Sequence, residues 1–192
     1  MVAKTDILEK AFILFAQKGF VETSTEDIAS AVGLKKQSLY SHFKNKNEIL
    51  IEILKQQLFF VVEIIDRRIK DIAAEPINIF FKEIFKSYID IFADHNRLLL
   101  WKRVLLMIHN VEYQVIFNKD KWQFEKDLSK TLYEKIKQAQ YQMDYHLFQG
   151  FFLSYMLLIQ GYLDWMIIGK HDEGIFNTIW DNFWNGTKDL FK

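Results

Sequence analysis

Residues 23–50 read TSTEDIASAVGLKKQSLYSHFKNKNEIL, and two short helices meeting at a sharp turn can be read from them. Ser24 followed three residues later by Asp27 marks a capped helix start, and Ile28, Ala29 and Val32 supply a short buried face, so a helix is expected over about 25–32. Gly33 follows at once, and the next apolar pair, Leu39 and Phe43, is spaced i,i+4, so a third helix has to leave at a steep angle. That is helix-turn-helix geometry. Asn45 with Glu48 makes a second capping signature and opens a long helix over about 46–74, with Ile49, Ile53 and Val61 on its stripe and Glu63/Arg67 and Asp66/Lys70 as exposed pairs.

Working outward from this stretch, Ile7, Leu8, Ala11, Phe12, Leu14 and Phe15 recur at helical spacing, and Gly19 stops that first helix. Downstream, Pro76 suits the first turn of a fifth helix reaching about Phe92, and Asp94 to Asn96 start a sixth running to about His109. A seventh is expected over about 118–140, an eighth over 144–169 ended by Gly169, and a ninth from the Asp172 cap through Phe191. One proline and seven glycines in 192 residues leave few helix breaks, which gives an all-α chain of about nine helices. The expected division is a helix-turn-helix domain over 1–48 and an all-helical domain over 49–192.

Lys+Arg and Asp+Glu both number 25, so a nucleic-acid partner cannot be argued from total charge, and any basic patch must be local. The absence of cysteine excludes disulfides, thiolate nucleophiles, Cys-ligated zinc and thiol redox sensing. The start MVAKTDILEK has no apolar segment of a secretory signal, so a cytoplasmic location is expected. Residues 147–169, LFQGFFLSYMLLIQGYLDWMIIG, are long enough to span a membrane with Asp164 as their only charge. Gln149, Gln160 and Asp164 favour a helix buried in a bundle, since an Asp near the membrane centre costs about 3 kcal/mol.

With Leu39 and Phe43 turned inward, Lys36, Gln37, Tyr40 and Ser41 share the opposite, wholly polar face of the third helix. Lys35, Lys36, Lys44 and Lys46 fall within residues 35–46 with no acid among them, whereas the first 34 residues hold three Lys and five acids. The basic patch therefore sits on the helix that would enter a groove. Lys46 opposes the macrodipole at a helix start, a placement that an external phosphate would turn favourable, and Ser24 and Thr25 offer hydroxyls and amides in the same way.

On these residues, from 8 to 50, the chain resembles the DNA-binding domain of the TetR family of bacterial repressors: the short second helix, the Gly33 turn, the LYxHF core of the third helix and the basic Lys46 all match. The resemblance implies that Tyr40 contacts backbone or base, that His42 and Lys46 contact phosphate, and that Lys36, Gln37 and Ser38 read the groove. Gln37 and Ser41 depart from the residues common at their positions, which leaves the operator sequence open. The expected DNA-facing set is Ser24, Thr25, Lys35, Lys36, Gln37, Ser38, Tyr40, Ser41, His42 and Lys46.

Beyond residue 50 the resemblance lies only in helix number and length. On the eighth helix Gly150, Ser154, Leu157, Gly161, Asp164 and Ile168 fall on one side, where small residues let another helix approach, and aromatic residues including Phe151 and Tyr155 fall on the other. Phe176, Ile179, Trp180 and Phe183 give the ninth helix an apolar face. The resemblance implies that these two helices of two subunits form a four-helix bundle, and intramolecular packing is the alternative. Tyr88, Trp101, Arg103, His109, Tyr113, Phe151 and Tyr155 place polar tips among apolar walls, as a small-molecule pocket does and as an ordinary core also does.

No catalytic spacing, phosphate loop or metal-ligand pattern is legible: His42, His95, His109, His146 and His171 lie far apart, and neither cofactor nor metal is expected. The expected partners are double-stranded DNA, a small-molecule effector and a second copy of the chain, with no membrane. The expected function is a ligand-responsive repressor acting as a dimer on a palindromic operator and released by a largely apolar molecule. A DNA binder that needs no ligand and a membrane-associated helical protein are the alternatives.

Overall fold

The computed structural model describes residues 2–106, 119–169 and 171–191. Nine α-helices and no strand occur among the described residues. They are α1 (Lys4–Gln17), α2 (Thr25–Ala31), α3 (Lys36–Leu39), α4 (Lys46–Asp71), α5 (Ile77–Phe92), α6 (His95–Leu106), α7 (Lys119–Gln138), α8 (Tyr145–Ile168) and α9 (Glu173–Thr187), with a 3₁₀ turn at Lys188–Leu190.

Local chemistry sets the boundaries. Ser24 Oγ accepts from the Asp27 amide at 3.0 Å while the Asp27 carboxylate accepts from the Ser24 amide at 2.9 Å, a reciprocal cap that starts α2. Gly33, at φ +68°, occupies the left-handed region that lets α3 depart. The third helix is shorter than its apolar spacing predicts, because past Leu39 the amides of Ser41 and His42 bond three residues back, at 3.3 and 3.0 Å, and tighten the chain into turns. Asn45 caps α4 by accepting from the Glu48 amide at 2.9 Å. Pro76 stands one residue before α5 as its cap rather than within its first turn. Asp144 and Asp172 cap α8 and α9 by accepting from the amides of Leu147 and Ile175.

The described residues form two compact units, one within Met1–Val61 and Asp94–Lys121, the other within Val62–Ala93 and Trp122–Lys192. In the first, Ile7, Ala11, Phe15, Ile28, Leu39, Phe43, Ile49 and Leu50 are buried and bind the first three helices to the start of α4. α6 belongs to this unit. Its Arg103 donates through Nε to Ala16 O at 2.9 Å and through a terminal nitrogen to Gln17 O at 3.1 Å, capping the open end of α1. Gln17 donates to Asn96 Oδ1 at 3.3 Å beside it.

The second unit is an aromatic core. Phe81 meets Phe151 at 5.0 Å and Tyr155 at 5.3 Å, and Phe85 meets Tyr162 at 5.6 Å and Phe176 at 5.1 Å, all edge to face. At roughly 1.5–3 kcal/mol per fully buried large apolar side chain, these rings supply a large part of the unit's hydrophobic stabilisation beside aliphatic residues such as Ile84, Leu132 and Ile159.

Candidate nucleic-acid interface

The residues expected to face DNA divide by burial as the inward turn of Leu39 and Phe43 requires. Lys35, Lys36, Gln37, Ser38, Tyr40 and Ser41 are exposed, Tyr40 at 47%, while Leu39 and Phe43 are 1% and 2% exposed. Ser24 is exposed, and Thr25, His42 and Lys46 are half-buried. One surface therefore carries the polar residues of α3 and of the turn after it, with the start of α2 beside them.

Lys46 is held more closely than its sequence position suggests. Its ammonium donates to Thr23 O at 2.6 Å, to Phe20 O at 2.7 Å and, at the long distance of 3.4 Å, to Val21 O, and it stands 4.3 Å from the centre of the Phe20 ring. Partial burial pulls its pKa below the usual lysine value, against the charges of Asp27 and Glu22. The buried Thr23 hydroxyl ties the same turn to Gly19 O at 2.7 Å. The first residue of α4 thus fixes the segment that delivers Ser24 and Thr25.

Lys36 is also engaged. Its ammonium is paired with the carboxylate of Glu26, in the first turn of α2, and the other Glu26 oxygen accepts from the Thr25 hydroxyl at 3.2 Å. The hydrogen bond from Lys36 is the main cause that lowers the Glu26 pKa, and Glu26 in turn raises that of Lys36. Glu26 is absent from the set read in the sequence. It lies ten residues from Lys36, and only the crossing of α2 and α3 joins them.

Of the residues expected to contact a small molecule, Tyr88, Phe151 and Tyr155 are buried in the second unit. Tyr155 donates to Phe81 O at 2.7 Å, and burial raises its pKa. The Tyr88 hydroxyl is buried with no hydrogen-bond partner among the described residues, and complete burial drives its pKa far up, with the charge of Glu125 adding to the shift. Trp101 and Arg103 lie in the first unit, where Arg103 is spent on the end of α1. His109 and Tyr113 lie outside the described residues.

Of the residues expected to pair two subunits, Gly150, Ser154, Leu157, Gly161, Asp164 and Ile168 all lie on an exposed side of α8, Leu157 at 63% and Ile168 at 87%. Phe176 and Trp180 are placed otherwise: both are buried within the unit, Phe176 against Phe85 and Tyr162, because an aromatic face next to an aromatic core is covered by it. Ile179 and Phe183 are half-buried, and Phe183 meets Phe151 at 5.7 Å. Among the described residues α8 is the one helix long and apolar enough to cross a membrane, and its fully buried positions include Tyr155 and Ile159.

Residues 7–53 match the family described as bacterial regulatory proteins, tetR family. An uncharacterized HTH-type transcriptional regulator, YerO of Bacillus subtilis, is 29% identical over 108 residues, 56% of this chain and 36% of that protein. The biofilm operon icaADBC HTH-type negative transcriptional regulator IcaR of Staphylococcus epidermidis is 46% identical over 46 residues, 24% of this chain and 25% of its own length. The chain thus spans about a third or less of the curated relatives named here. Among solved structures, FadR from Bacillus subtilis in complex with stearoyl-CoA superposes with a TM-score of 0.75 at 19% identity, over 96% of this chain and 99% of that one. A regulator from Saccharomonospora viridis in complex with choline gives 0.68 at 19%, over 96% and 95%. At these identities the likeness establishes the fold.

Proposed function

We propose that the chain, whose residues 7–53 match the tetR family of bacterial regulatory proteins, is a ligand-responsive repressor of that family that binds a palindromic operator as a homodimer. The observation that carries this reading is the exposed polar face of Lys36, Gln37, Tyr40 and Ser41 standing on the buried Leu39 and Phe43. The negative regulator among the relatives supports repression, and the neighbours holding stearoyl-CoA and choline support a small-molecule effector.

Residues 1–48 carry recognition, and 49–192 carry sensing and pairing. Lys36, Gln37 and Ser38 reach base edges, whereas Ser24, Thr25, Lys35, Tyr40, Ser41, His42 and Lys46 hold the backbone. Thr23 O and Phe20 O orient the Lys46 ammonium, and the N–H on the long 3.4 Å bond to Val21 O is the one that exchanges to a phosphate. Tyr88, Phe151 and Tyr155 mark the effector region, and its aromatic walls favour a largely apolar molecule. Binding is relayed through α4, which runs through both units, and through Arg103 of α6 on α1. The effector and DNA must then weaken each other equally, typically by about 1–3 kcal/mol.

The exposed stripe on α8 carries the pairing. A Cβ added at Gly150 or Gly161 meets nothing within 4 Å in the single chain, and both positions are exposed, so Gly161→Leu is aimed at a contact with a second copy rather than at the core of the subunit.

The test selects a sequence from a random duplex pool with the full-length protein and measures its binding across a salt series beside that of the unselected pool. A palindrome with half-sites one or more helical turns apart is expected. Lys46→Ala lowers the salt slope by about 2 on both duplexes, one phosphate per subunit. Gln37→Ala costs about 1–3 kcal/mol on the selected sequence alone. Gly161→Leu shifts the sedimentation coefficient to that of a monomer. Failure to enrich any sequence removes the repressor reading.

A further inference from the structure

Glu26 is an acid on a surface read as DNA-facing, and its carboxylate is occupied by two donors of that surface. One oxygen takes the Lys36 ammonium and the other accepts from the Thr25 hydroxyl at 3.2 Å. Neither partner is buried: the side chains of Lys36 and Glu26 are 46% and 57% exposed, so the pair stands in reach of whatever approaches α2 and α3. An acid in the first turn of α2 is favoured by the helix dipole, but an exposed ion pair of this kind adds little more to folding, so stability accounts for the acid and not for its pairing with a lysine of this surface.

Non-specific affinity comes from releasing the counterions of phosphates that lysines neutralise. A lysine already neutralised by a carboxylate has little to gain from a phosphate, since one anion only replaces another and leaves the first facing the duplex. A base edge differs. It carries no net charge, and a guanine offers two acceptors, N7 and O6, to an ammonium that keeps its carboxylate and still has two N–H groups to give.

We propose that Glu26 is a specificity-determining residue, and that with Lys36 it forms one neutral, oriented donor that reads a guanine while random phosphates fail to recruit it. This rests on the DNA-binding reading above. It places a guanine in each half-site beneath Lys36, and it makes the affinity for random duplex lower than the lysine count of the surface implies.

The test compares wild type, Glu26→Gln, Lys36→Ala and the double variant on a random-sequence 30-bp duplex pool and on the duplex that wild type selects from that pool, at about 50 to 200 mM salt. Glu26→Gln frees one lysine per subunit, so random-duplex binding tightens and its salt slope steepens by about 2, worth on the order of 10-fold in affinity across that range. The ratio of selected to random affinity falls, and re-selection with Glu26→Gln loses the guanine. Lys36→Ala alone leaves the random-duplex slope unchanged. The double variant returns the slope to the wild-type value, because the gain came from the freed lysine. If Glu26→Gln leaves the slope unchanged, or if the tighter binding persists in the double variant, the acid merely repels DNA and the proposal is overturned. A wild type that selects no sequence sinks the repressor reading along with it, whereas selection with an inert Glu26→Gln sinks this inference alone.

Discussion

The polar face around α2 and α3, proposed to meet DNA, and the aromatic unit reverse each other's use of burial. Around α2 and α3 the residues assigned a function are exposed or half-buried and lie within 24–46, and the buried ones, Leu39 and Phe43, only hold them in place. In the second unit the candidate residues are themselves the core, with Tyr88, Phe151 and Tyr155 all buried and drawn from distant stretches. Function can therefore be altered at the exposed positions of α3 without much change in folding, whereas Ser24 and Lys46 also hold the local structure. In the second unit, every substitution tests stability and sensing together.

The largest expected effect sharpens that contrast. Phe81→Ala removes a ring with no exposure that meets Phe80, Phe151, Tyr155 and Phe191, and should cost about 3–5 kcal/mol in chemical denaturation. Gln37→Ala, at an exposed position, should stay within about 0.5 kcal/mol of wild type. Comparable losses at the two sites would break the comparison.

Two tyrosines give the next effect, of opposite sign for the same deletion. Tyr155→Phe strips the bond to the Phe81 carbonyl and leaves that acceptor buried, which costs about 1–3 kcal/mol. Tyr88→Phe removes a buried hydroxyl that has no partner among the described residues, so stability should hold or rise, while effector-induced release from DNA weakens. Equal destabilisation by the two variants would place a partner on Tyr88 in the free protein.

The smallest effect is in acid. Glu26 and Asp27 on α2, and Glu173 on α9, all have lowered pKa values, held down chiefly by Lys36, by the Ser24 amide and by His171 respectively. A carboxyl depressed in the folded state contributes stability above its unfolded value, 4.5 for Glu and 3.8 for Asp, and that stability is lost as pH falls through the folded value. With two of the three on α2, its amides should lose exchange protection in acid before those of α9. Asp27→Asn should flatten that response, and amide exchange by NMR at about pH 3 to 5 reads it.

The caps at Ser24, Asn45 and Asp172 were legible because each needs only a side chain and an amide three residues on. The apolar spacing of Leu39 and Phe43 likewise settles which side of α3 is covered, since the helical period fixes it. What the 40–42 turn does was not legible, because i,i+3 and i,i+4 bonding compete for the same amides there.

By itself, then, the sequence determined the all-α class, the capped helix starts and the exposed polar face of α3, which depend on interactions within a few residues. Only the tertiary structure decided that Arg103 caps α1, that Lys46 holds the Phe20–Thr23 carbonyls, that Glu26 takes Lys36, and that Phe176 and Trp180 are covered by their own unit. Each of these joins groups from separate helices. A long charged side chain can pair with any carbonyl or carboxylate in reach, and an apolar stripe can face a neighbour or a partner, so the crossing of the helices, and not their spacing along the chain, makes the choice.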